Sequence, residues 1–178
     1  SLVMVTTVRS RIYLLIALML VSIIGITTYF LGNIRSELMS ERQYTTRMVV
    51  ENAHSIIERY GQLAASGVMS KEEAQKAAKL AIGAMRYENG KNYFSLYDSN
   101  AYMIQQPFKP EMNGKDQSQL KDPNGVAIVT ELVAAAKRGK GEYVRYMWPR
   151  GNGKELFPKG ACSKLYEPWG WVVTSGLY

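Results

Sequence analysis

The residues able to do chemistry are few, and their types favour binding over turnover. One histidine, His54, and one cysteine, Cys162, occur in 178 residues. A Ser-His-Asp arrangement would have to run through that single imidazole. One chain has too few such ligands for a Cys-based zinc cluster, a His-rich metal site or an internal disulfide. Phosphate-loop, GxGxxG, HExxH and CxxC patterns do not occur. Asp98, Asp116 and Asp122 each stand beside turn residues, where a short carboxylate bonds its own backbone. No enzyme activity, cofactor or metal is expected. What remains is three cations, Arg86, Lys159 and Lys164, near segments rich in Tyr and Trp. A pocket with aromatic walls and a cation at its base would suit a carboxylate, because charge-assisted hydrogen bonds both hold and orient it. On composition alone a second reading stays open, in which the rings form the core and the cations coat the surface.

The elements that must position these groups begin with helices. From residue 33 to about 67 there is no proline, and apolar residues from Ile34 to Ala64 recur mostly at three- and four-residue steps. His54 lies among them and reads as a structural histidine rather than a ligand. Ser70-Lys71-Glu72-Glu73 is a capping box opening a second helix, whose apolar stripe runs from Ala74 to Met85. Asn89-Gly90 is expected to end it, leaving Arg86 in the last turn, where the helix dipole favours a cation. The pattern then changes to strands over residues 93–98 and 102–106, joined by a short turn. Asp122-Pro123-Asn124-Gly125 opens a third helix, which Gly139-Lys140-Gly141 stops. Strands follow over 143–148, 155–166 and 171–178. Tyr146 and Trp148 are two apart on a strand and so share a face. Helices followed by hairpin-linked strands imply an α+β domain, an antiparallel sheet with helices on one side.

The amino-terminal segment has another character. Residues 12–31 form an uncharged run of 20. As a helix it would be about 30 Å long, enough to cross a bilayer. Arg9 and Arg11 precede it and no acid occurs before Glu37, so the positive-inside bias puts residues 1–11 in the cytoplasm and the rest outside. The expected division is a cytoplasmic segment 1–11, a transmembrane helix 12–31, a long helix 32–68 and a domain 69–178. The net charge is +7 overall, and +5 once Arg9 and Arg11 are set aside. An outward-facing domain would seldom meet nucleic acid, so attraction to small anions or anionic lipid is the more consistent use of that charge.

An ordered set of short pieces completes the reading. They are Asn92-Tyr93-Phe94 with Asp98 closing the strand, Gln106-Pro107-x-x-Pro110 followed by Gly114-Lys115-Asp116, and Lys121 to Gly125. Then come Gly141-Glu142-Tyr143, Tyr146-Met147-Trp148-Pro149, Lys159, Glu167-Pro168-Trp169-Gly170-Trp171 and Thr174-x-Gly176-x-Tyr178. In order and spacing this resembles the single-Cache sensor domain of bacterial chemoreceptors and sensor kinases. The resemblance implies a PAS-like antiparallel sheet of about five to six strands, with a long N-terminal helix and a second helix packed on it. It further implies a periplasmic or extracellular domain between two membrane helices in a homodimer, the second helix following Tyr178. Such domains sense small molecules, often short carboxylates such as acetate, propionate or pyruvate, and signal to a methyl-accepting chemotaxis or kinase module. The ligand set expected on this basis is Arg86, Tyr93, Met103, Gln106, Tyr146, Trp148, Lys159 and Cys162. Arg86 and Lys159 would hold the anion, Tyr146 and Trp148 would wall it, and Gln106 would meet its polar end. Two positions depart from the family pattern. Gln106 stands where His is usual, and Cys162 where Tyr is usual. Gln keeps a donor and an acceptor but cannot become cationic, and Cys is smaller and a weaker donor. The pocket would then be larger, tuned away from two- and three-carbon acids, or vestigial. An anchored interaction or dimerisation module is the alternative outside ligand sensing.

Overall fold

A computed structural model describes residues 7–178. Its elements are α1 (Val8–Ala65), α2 (Lys71–Ala84), β1 (Phe94–Asp98), β2 (Met103–Gln105), α3 (Ile128–Arg138), β3 (Val144–Pro149), β4 (Leu156–Tyr166) and β5 (Trp171–Leu177). The chain divides into two units, Ser1–Glu41 and Arg42–Tyr178. Of the segment 1–11 expected in the cytoplasm, residues 1–6 lie outside the described residues.

From Val8 onward the first unit is helical, and its described residues bury almost nothing. Ile12, Leu15, Leu18, Val21, Ile24 and Phe30 all point outward. The most apolar stretch has a mean hydropathy of 2.4, long and apolar enough to cross a membrane. The hydroxyls of Ser22 and Thr28 donate to the carbonyls of Leu18 and Ile24 at 2.9 and 2.8 Å, so neither is left unpaired on that surface.

The second unit is built on one antiparallel sheet of order β2-β1-β5-β4-β3. Helices cover both of its faces, not one side as the element order suggests. The reason lies in the strands. All seven residues of β5 and four of the five in β1 are buried, and a sheet apolar on both faces needs two covers. Strand alternation then sorts the core into two clusters. Tyr97, Tyr146, Trp148, Ala161 and Val172 pack with Val129, Leu132 and Ala136 of α3. Phe94, Leu96, Cys162, Trp171 and Val173 pack with Val50, Ala53 and Ile57 of α1 and with Ala78 and Ile82 of α2.

Local chemistry sets the element ends. The Ser70 hydroxyl accepts from the Glu73 N–H at 3.1 Å, the N-cap expected from the capping box. α2 stops at Ala84, earlier than Asn89-Gly90, because Met85 turns extended and Tyr87 bridges to Asn92. Glu88, Asn89 and Gly90 all take positive φ to close that loop. Asp122 ties the start of α3 to β3. Its carboxylate accepts from Asn124 N–H at 3.0 Å, Val126 N–H at 2.9 Å and Met147 N–H at 2.9 Å. Asp98 and Asp116 likewise accept from nearby backbone N–H groups. His54 sits at the seam of α1 and β4, its Nε2 3.2 Å from the Leu165 carbonyl.

Candidate ligand-binding site

Alternation along four strands aims a polar set at the face covered by α3. Ser95 and Tyr97 come from β1, Tyr146 and Trp148 from β3, Lys159 from β4 and Thr174 from β5. Registered pairing brings them together, since Lys159 is opposite Tyr146 and Ser95 is opposite Thr174. Tyr93, just ahead of β1, and Gln106, just after β2, close the ring with Ile128 of α3.

At its centre is an aromatic hydroxyl surrounded by donors. The Tyr93 oxygen accepts from Trp148 Nε1–H at 2.9 Å, Gln106 Nε2–H at 3.2 Å and Lys159 Nζ at 3.4 Å. The Lys159 ammonium also lies 4.4 Å from the centre of the Tyr93 ring and 4.9 Å from that of Tyr178. Lys159 is 7% exposed, and no carboxylate lines the cavity around it. Burial lowers its pKa, and the neighbouring Tyr93 opposes that shift without cancelling it. For Tyr93, burial pushes the phenol up, but Lys159 and the hydrogen bonds from Gln106 and Lys159 outweigh it, and the net shift is downward. Desolvation holds Tyr97 and Tyr146 well above the ordinary phenol range, so both stay neutral. Thr174 Oγ1 is buried with no hydrogen-bond partner among the described residues. A lone buried cation, convergent N–H donors and a spare hydroxyl form a surface complementary to a small anion with polar oxygens.

The space is narrow. Its volume is about 10 Å³, roughly one water. Phe108 lies against Tyr93 with ring centres 4.9 Å apart, and its N–H donates to Gln106 Oε1 at 3.0 Å. A ligand of several heavy atoms therefore requires the 106–109 segment or the ring of Tyr93 to move.

Of the eight expected residues, Tyr93, Gln106, Tyr146, Trp148 and Lys159 meet here, and three do not. Arg86 is exposed. It lies beyond α2, where its guanidinium donates to the Gly83 and Met85 carbonyls at 2.8 Å each and sits 5.0 Å from the Phe108 ring. Met103 is buried in the α3-side core and is not a wall of the cavity. Cys162 is three residues from Lys159, an odd step on a strand, so it faces the α1 side. Burial there pushes its thiol up to about 11 against the opposing pull of Arg47, leaving it an unreactive thiol. Lys164 is engaged with Glu51 at 2.6 Å. Sequence reasoning missed Ser95, Tyr97, Ile128, Thr174 and Ser175. Two-residue spacing from Tyr93 carried the signal for Ser95 and Tyr97. Nothing comparable marked Ile128.

Comparison with known proteins fits this geometry. The family model described as Single Cache domain 2 matches residues 38–178. The chain belongs to that family. Over 172 residues it is 31% identical to the methyl-accepting chemotaxis protein McpP of Pseudomonas putida, covering 97% of this chain and 31% of that protein. It is 26% identical to the sensor histidine kinase MctS of Rhizobium johnstonii, covering 97% of this chain and 39% of the kinase. The chain thus spans about a third of the length of these relatives. Among solved structures it resembles a periplasmic sensor domain of a chemotaxis protein, with TM-score 0.74 and 40% identity over 79% of this chain and 96% of that one. It also resembles a Cache chemosensory domain studied for carboxylic acid recognition, with TM-score 0.75 and 37% identity over 80% of this chain and 97% of that one. The Cache fold of the second unit is the one the ordered motifs implied.

Proposed function

We propose that this single-Cache chain is the ligand-sensing part of a membrane chemoreceptor, and that it binds a small carboxylate in the Lys159 cavity without catalysing a reaction. The observation that carries this is Lys159 itself, a buried ammonium that meets only the Tyr93 hydroxyl and the rings of Tyr93 and Tyr178, with no acid lining its cavity. A carboxylate would accept from Lys159, Trp148 Nε1–H and Gln106 Nε2–H in place of the Tyr93 oxygen, and Thr174 Oγ1 would gain a partner. The small volume makes the bound state a distinct arrangement of the surrounding residues, and a ligand can shift the molecule between two arrangements only by binding one of them better.

The domain would lie in the periplasm, anchored through residues 12–31, with α1 of one protomer beside α1 of a second. Positive residues before the apolar run favour that topology. The similarity to MctS favours a second output, a histidine kinase, with the same sensing step. The test is calorimetric titration of the chain with acetate and propionate, each against its uncharged amide. Binding of the acids and not the amides, lost in Lys159→Ala, is the expected result. Equal binding to Lys159→Ala would remove the cavity from the proposal.

A further inference from the structure

Beside β4, where residues 162–166 extend past their pairing with β3, a second concavity of about 460 Å³ opens between α1 and α3, within the ordinary range of about 300–1,000 Å³ for small-molecule sites. Its floor is apolar and comes from three elements, with Val50 from α1, Ala136 from α3, and Cys162 and Leu165 from β4. Its rim is charged and unbalanced. Arg47, Lys140 and Lys164 stand around it with one acid, Glu51, which is already paired to Lys164 at 2.6 Å. Neither Arg47 nor Lys140 is in an ion pair among the described residues. Two glycines shape the Lys140 side. Gly139 ends α3 at φ 69°, and Gly141 follows at φ 64°. A Cβ on Gly141 would come within 2.8 Å of Arg47 Cδ, so the Arg47 stem lies directly across that backbone. The Cys162 Sγ faces the Gly141 carbonyl at 3.7 Å.

We infer that this groove is a second binding site, for an amphiphilic monoanion: a carboxylate or sulfonate on a small aromatic or medium-chain aliphatic body. The apolar floor would take the body and the two unpaired cations the charged end. Charge complementarity decides the sign, since the rim carries three cations to one acid. This groove differs from the Lys159 cavity in every respect that sets ligand choice. It is many times larger, its cations are at the rim and not the base, and its walls come from α1, the end of α3 and the free edge of β4. One wall is α1 itself, so an occupant bridging Arg47 and Lys140 would fasten α1 to the α3–β3 loop. The inference does not depend on the Lys159 cavity being a sensor site.

The test uses the whole chain in nanodiscs of zwitterionic lipid, with 4-fluorophenylacetate followed by ¹⁹F NMR and 4-fluorophenylacetamide as the uncharged control. The acid should broaden on the protein beyond empty discs, and the amide should not. Arg47→Glu and Lys140→Glu change exposed side chains and should each weaken binding roughly tenfold, the usual scale for losing a charge-assisted contact. Lys159→Met should leave it within about twofold, roughly 0.4 kcal/mol. No broadening beyond empty discs would overturn the inference. So would unchanged binding in both charge reversals, or loss in Lys159→Met alone, which would place the probe in the Lys159 cavity. Apparent affinity that falls as protein concentration rises would show a second copy of the chain in the groove and would equally overturn it.

Discussion

Lys159 is the residue whose surroundings most need a partner the chain does not supply. An ammonium removed from water costs several kcal/mol unless it is paired, and its polar contact here is a phenol at 3.4 Å. Truncating a cation that holds a desolvated carboxylate typically costs about 2–5 kcal/mol. Lys159→Ala should therefore weaken carboxylate binding roughly 30-fold or more, whereas exposed Arg86→Ala should change it by no more than a few-fold; titration calorimetry reads both. The direction of the Lys159 shift adds a pH signature. Burial favours its neutral form in the empty cavity, and a bound anion favours the charged form. At pH values near and above the lowered lysine pKa, binding should take up protons, and affinity should fall as pH rises through that pKa. Calorimetry in buffers of different ionisation enthalpy measures the uptake, and a buffer-independent heat would contradict it. The two departures from the family pattern now separate. Gln106→His should reorder preferences among short carboxylates, because Gln106 touches Tyr93 and Phe108. Cys162→Ser should leave that order unchanged, because the thiol is on the other face of the sheet.

At the scale of elements, the docking of α1 against β4 includes the chain's one imidazole. His54 Nε2–H donates to the Leu165 carbonyl, while Nδ1 is 3.7 Å from Glu58. Its pKa is lowered, first by burial and then by Lys164, against the opposing pull of the Leu165 carbonyl, Glu58 and Glu51. A depressed folded pKa means the unfolded chain binds more protons in that window. The His54 contribution is thus whole above pH about 6.5 and is lost as pH falls through the lower folded value. Thermal midpoints should drop across that range in the wild type and drop less in His54→Gln, which keeps a donor for Leu165. Parallel pH curves would refute this. α2 offers a simpler check. Ser70→Ala removes the acceptor for the Glu73 N–H and should cost about 1 kcal/mol by denaturant unfolding.

For the whole molecule, the proposed chemoreceptor arrangement joins α1, whose residues 12–31 would cross the membrane, to a sensing domain in two copies. Cysteines placed singly at Ile34, Leu38 and Glu41, in a Cys162→Ser background, should crosslink between chains in membranes with helical periodicity. Absence of crosslinks at all three positions would count against α1 pairing. A reporter active only outside the cytoplasm, fused after Tyr178 with no further membrane segment, should be active if residues 12–31 carry the domain across.

What the chain of residues determined alone was whatever depends on near neighbours. The capping box at Ser70, the turns at Asp98 and Asp122, the uncharged run 12–31 and the alternation that puts Tyr146 and Trp148 on one face are all set within a few positions. The ordered motifs carried the Cache fold and five of the cavity residues, because Tyr93, Gln106 and Lys159 stand within recognisable pieces. Tertiary structure decided the rest. Whether Arg86 reaches the cavity depends on where α2 ends, and the Tyr87–Asn92 bridge ends it five residues before Asn89. Cys162 enters the expected set because Tyr is usual at its position in the family, but strand parity turns it and Lys159 to opposite faces, Lys159 to the narrow polar cavity and Cys162 to the larger groove. Ile128 and Thr174 join the site only through helix packing and cross-strand register, contacts between residues far apart in sequence that no local pattern encodes.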